Sequence, residues 1–67
     1  MISGKILNSI ELGKNYDPVN LWIAIEKGLG KRISCEDAEE ITLSLRKEKV
    51  LVVSEPDFKF HRVVRLP

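Results

Sequence analysis

Sixty-seven residues, 43% apolar and 31% charged with a formal net charge of +1, make one domain and no more. A chain this short buries only about 60% of the surface it exposes when unfolded, which leaves no room for a deep catalytic cleft between two lobes. The apolar fraction is too high for a wholly disordered chain, and the near-neutral total gives no global pull toward nucleic acid or membrane.

The spacing of Ile2, Ile6, Leu7 and Ile10 predicts a short first helix, with Gly13 standing where a C-terminal cap would be. Asp17 suits an N-cap and Pro18 the first helical position, so a second helix starts there. Val19, Trp22, Ile25 and Leu29 line one face of it, and Leu21, Ile23 and Ala24 flank that face. This predicts the most buried element, anchored by Trp22 and closed by Gly28 and Gly30. Ser34-Cys35-Glu36-Asp37 opens a third helix as a capping box, with aspartate in the place of the usual Glu or Gln. Ala38, Ile41 and Leu45 form its inward stripe, with Cys35 and Thr42 at the edges. Arg46, Lys47 and Lys49 stand at its end, where cations complement the helix dipole.

The period then changes to two. Val50 to Val53 reads as a strand, and Ser54-Glu55-Pro56-Asp57 as a turn. Phe58, Phe60, Val64 and Leu66 alternate with Lys59, His61 and Arg65, so the second strand is expected to bury its even side chains. Arg62 is then expected near the sheet edge, its stem on the core. The fold class is α+β: three helices followed by a C-terminal β-hairpin, in a single domain over 1–67.

Cys35 is the lone cysteine, so no intrachain disulfide framework exists and a reducing, cytoplasmic setting is expected. Cys35 and His61, 26 positions apart, cannot make a four-ligand zinc site unaided. No metal or cofactor is expected. Cys35 is read as a structural, half-buried thiol and His61 as a surface strand residue. The longest apolar run, Leu21 to Ile25, falls far short of the roughly 20 residues of a membrane helix. The N-terminus lacks the apolar core of a signal peptide, and no membrane partner is expected. No nucleophile relay or acid–base pair can be assembled, which argues against an enzyme.

The order helix, helix, helix, hairpin, with the passage "SCEDAEEITLSLRKEKVLVVS" running from a third helix into a first wing strand, resembles the winged helix-turn-helix superfamily over roughly Ile2 to Leu66. The resemblance implies binding, most often to duplex DNA, with the third helix in the major groove and the wing on the backbone or minor groove. Carried onto this sequence, the groove-facing side of the third helix holds Glu36, Glu39, Glu40, Leu43 and Lys47. The wing offers Lys59, His61 and Arg65. The connection from Gly28 to Ile33 is longer than the usual turn, and Lys31-Arg32-Ile33 has the alternative of a short strand along the hairpin.

Charge is segregated along the chain. Residues 34–45 hold four acids and no base, a local charge of −4; residues 46–67 hold six bases and three acids, a local charge of +3. Phosphates repel the first segment and attract the second. Arg46, Lys47, Lys49, Lys59, His61, Arg62 and Arg65 therefore read as a phosphate-contacting strip for double-stranded DNA, set against ordinary solvation of a helix end. Glu36, Asp37, Glu39 and Glu40 exceed what capping needs. Leu43 projects among them, which suggests contact with a protein partner or with a second copy of the chain. The expected function is a small DNA-binding transcriptional or replication accessory regulator. The alternative is a protein–protein interaction or inhibitor module that uses the acidic third helix.

Overall fold

The structure, a computed structural model, describes residues 3–53 and 60–67. Ile2 of the first helix, the expected turn Ser54 to Asp57, and Phe58 and Lys59 of the second strand lie outside the described residues. The elements run α1 (Gly4–Leu7), β1 (Asn15–Tyr16), α2 (Pro18–Leu29), α3 (Cys35–Lys47), β2 (Leu51–Val53) and β3 (His61–Val63). The fold is α+β, as the residue pattern predicts, with an antiparallel sheet in the order β1-β3-β2.

Helix α1 is shorter than its apolar spacing suggests. Ser9 donates its hydroxyl to the Ile6 carbonyl at 2.7 Å, a local bond that competes with helix continuation. Ile10 is buried all the same, carried inward by the turn that follows. Gly13 caps nothing. It adopts a positive φ of 83° and donates its N–H to the Val63 carbonyl at 2.7 Å, which turns the chain into β1. That strand pairs with β3, Tyr16 opposite His61. The third strand therefore comes from Asn15–Tyr16 and not from Lys31 to Ile33. Tyr16 is buried, and its hydroxyl accepts from the Glu11 N–H at 3.0 Å.

Helix α2 starts as its sequence dictates. The Asp17 carboxylate accepts from the Asn20 N–H at 2.7 Å, Pro18 follows, and Gly30 ends the helix at φ 72°. The buried face is Leu21, Ala24 and Ile25, rotated from the expected Val19–Trp22–Ile25 stripe. Val19 is 61% exposed. Almost every side of this helix is apolar, so its period is compatible with several inward faces, and packing selects one. Gly28 helps to select it: a Cβ there would lie 2.5 Å from the Lys5 carbonyl and 2.7 Å from Ser9 Oγ. α1 thus crosses α2 against bare backbone.

Trp22 is half-buried and stands outside the core cluster. Its indole N–H donates to the Ile33 carbonyl at 3.1 Å, while the Glu26 carboxylate accepts from the Ile33 N–H at 3.0 Å. Two side chains one turn apart on α2 thereby hold the long connection and satisfy the backbone bonds that a strand would otherwise take.

Helix α3 opens with Ser34 Oγ accepting from the Asp37 N–H at 3.1 Å. Ala38 and Leu45 are buried and Ile41 packs against the core, the expected stripe. It ends on Lys49 at φ 64°. The Lys49 N–H bonds the Arg46 carbonyl at 3.1 Å and the Val50 N–H bonds the Leu45 carbonyl at 2.9 Å. This is a left-handed helix stop, with Val50 and Leu45, both 0% exposed, in the apolar positions that accompany it.

In β3 the buried residue is Val63, paired with Leu51. Phe60, Val64 and Leu66 are exposed, so the expected even-numbered phase is inverted. Among the described residues the strand covers His61–Val63. The flanking apolar residues outnumber Val63 and set a false phase when 58–66 is read as one strand, and a one-residue slip exchanges the faces.

Two stability outcomes follow. Lys49→Gly is expected to stabilise the fold by about 1 kcal/mol, because glycine enters the left-handed region without the Cβ penalty. Denaturant titration checks this, and a loss of stability would contradict the helix stop. Gly28→Ala is expected to destabilise by about 1–3 kcal/mol despite the better helix propensity of alanine, since α1 must move. Equal or higher stability in the same titration would rule out the close crossing.

Candidate nucleic-acid interface

The left-handed stop at Lys49 gathers cations. Arg46 and Lys47 stand on the last turn of α3, and Lys49 follows on the stop itself. Arg65, just past β3, reaches back and donates from its guanidinium to the Glu48 carbonyl. That bond uses a helix-terminal carbonyl as acceptor. Arg46, Lys47 and Lys49 line one open depression of about 470 Å³, together with Leu43 and the β2 residues Leu51, Val52 and Val53. A cationic end of α3 thus lies directly against the hairpin.

The remaining members of the expected basic strip separate. Arg62 pairs with Asn15 on one side and Val52 on the other, and all three are exposed. They form a cross-strand row on the outer sheet face, opposite to Val63 and the core. β3 is the central strand, so Arg62 is not at a sheet edge. Lys59 lies outside the described residues.

His61 is half-buried rather than a surface residue. It closes one end of a groove of about 420 Å³ between α2 and α3, whose walls include Val19, Trp22, Ala38, Leu43 and Arg46. Its Nδ1 is buried with no hydrogen-bond partner among the described residues. Desolvation first, and the nearby Arg46 charge second, hold the imidazole below its ordinary pKa of 6.5. The neutral ring is therefore the folded form near neutral pH.

Glu36, Asp37, Glu39 and Glu40 are all exposed on the first half of α3, and Leu43 is 59% exposed at its middle. Cys35 is exposed, not half-buried, with its thiol 3.8 Å from a Glu39 oxygen. The groove passes beside it, because α2 presents Pro18 and Val19 there instead of covering the start of α3. Among the described residues no group of three or more His, Cys, Asp or Glu could hold a metal ion, and no helix is long and apolar enough to cross a membrane.

Residue pattern missed two features: the Trp22–Glu26 hold on Ile33 and the insertion of His61 into the groove. For the first, the i, i+4 spacing of Trp22 and Glu26 on one helix face was the available signal. The second depends on strand phase, which the flanking apolar residues obscure. Comparison with protein-family models, with curated proteins and with solved structures finds no match.

His61 generates a pH dependence. Its folded pKa is lowered, so the unfolded chain takes up the proton more readily. Stability is therefore expected to fall as pH drops below about 6.5 and to level off once the folded form protonates as well. Denaturant titrations from about pH 7.5 to 5.5 should show this slope in the wild type and a flatter profile in His61→Gln. Equal slopes would mean that the ring is fully solvated.

Proposed function

We propose that this chain is a small nucleic-acid-binding module of winged-helix type, a DNA-binding regulator or accessory protein, which grips duplex phosphates with the C-terminal end of α3. The observation that carries the reading is the convergence of Arg46, Lys47, Lys49 and Arg65 where α3 meets the β2–β3 hairpin. The order of three helices and a hairpin supports the resemblance drawn from the sequence.

The electrostatics favour one placement of such a module on a duplex. The acids on the first half of α3 oppose insertion of that end beside phosphates, whereas the last turn attracts them. Contact therefore centres on the helix end and the hairpin, a geometry of backbone positioning more than of base reading. Arg65 is already oriented by the Glu48 carbonyl, and a side chain held in place loses less freedom on binding. The reading assigns binding and no catalysis.

Four cations on phosphates predict a log–log slope of affinity against salt of about −3 to −4. Fluorescence anisotropy with a labelled duplex of arbitrary sequence measures it. Lys47→Ala should make the slope shallower by about one and weaken binding alike for all sequences. Absence of binding at low salt, or binding indifferent to salt, would contradict the proposal.

A further inference from the structure

We infer that the exposed face of α3 pairs with the same face of a second copy of this chain, antiparallel, about a two-fold axis at Leu43. The inference stands on the charge pattern of α3 and holds whether or not its basic end takes phosphate.

Leu43 is the centre of the exposed face. An α-helix turns every ~3.6 residues and rises about 1.5 Å per residue. Glu39 and Glu40 therefore lie about one turn before Leu43, and Arg46 and Lys47 about one turn after it. Around the helix, Glu39 and Arg46 fall on one flank of Leu43, the flank that also lines the groove with α2. Glu40 and Lys47 fall on the other. A two-fold axis at Leu43 reverses direction along the helix and preserves the flank. It sets Leu43 against the partner's Leu43, Glu39 against Arg46 of the partner subunit, and Glu40 against the partner's Lys47. Each contact then occurs twice, as an isologous interface requires. Parallel pairing in the same register would face acid with acid and base with base, so charge also fixes the direction.

The centre of this face is apolar. Val19 and Leu43, 61% and 59% exposed, border the open groove between α2 and α3. An apolar centre within a ring of charge is the usual anatomy of a protein interface. The pairing gives two of the four acids near the helix start a role beyond the helix dipole and the one N–H that Ser34 caps. Glu39 and Glu40 find their counter-charges on the second copy.

Sedimentation velocity on the full chain, up to about 1 mM, where even a weak interface registers, tests the pairing. A dimer is expected that grows with concentration and weakens with added salt. A wild type that stays monomeric throughout overturns the inference without recourse to any variant. Two exposed-face variants then test the charge register: E39K/E40K and R46E/K47E. Each alone should be monomeric by self-repulsion, and an equimolar mixture should form the heterodimer. Variants that dimerise alone like the wild type, or a mixture that remains monomeric, would overturn the proposed register.

Discussion

The left-handed turn at Lys49 joins α3 to the sheet. It ends α3 and at once delivers Val50 and Leu51 into the core. The Val50 carbonyl then accepts from the Val64 N–H at 2.9 Å, which extends the β2–β3 pairing up to the helix stop. Val63 faces Leu51 across that pairing, and β1 closes the other side of β3. Loss of the turn would cost the helix end, the start of β2 and the register of the central strand together. The bond from Arg65 to Glu48 is made possible by the same closure, since it joins the residue after β3 to the carbonyl before the stop.

The same turn organises the charge. A net charge of +1 conceals a helix that is acidic at its start and basic at its end. Both halves complement the helix dipole, so local stability accounts for part of the pattern. It accounts in the same way for the bond from Arg65 to a helix-terminal carbonyl, but not for Leu43 in the middle of the exposed face. The two proposals assign two uses to this one helix. Its terminal turn suits phosphates, and its full face suits a copy of itself. The two proposed uses share Arg46 and Lys47, so self-pairing and phosphate binding would compete for the same side chains.

Much of the architecture was legible in the residues because local chemistry dictates it. Asp17-Pro18 and Ser34 mark helix starts through hydrogen bonds that depend on few neighbours. The Ala38–Ile41–Leu45 stripe is unambiguous because polar residues surround it. Features set by distant packing were not legible. The inward face of α2 is chosen by its crossing with α1 at Gly28, and an almost wholly apolar helix carries no contrary signal. A strand of two residues, Asn15–Tyr16, is too short to show a period at all. The phase of β3 was lost to Phe60, Val64 and Leu66, which remain exposed. Of the candidate site, the cations adjacent in sequence stayed together, whereas Arg62 moved to the outer face with the phase of its strand.

In the proposed binding mode α3 meets nucleic acid with its C-terminal end and not with its acidic start. An amide chemical-shift map of the isotope-labelled chain, titrated with a short DNA duplex at low salt and at a concentration where the chain is monomeric, distinguishes the two ends. Shifts are expected to centre on Arg46, Lys47, Lys49 and Arg65, with Glu36 to Glu40 unmoved. Shifts centred on Glu36 to Glu40, or none anywhere, would contradict it.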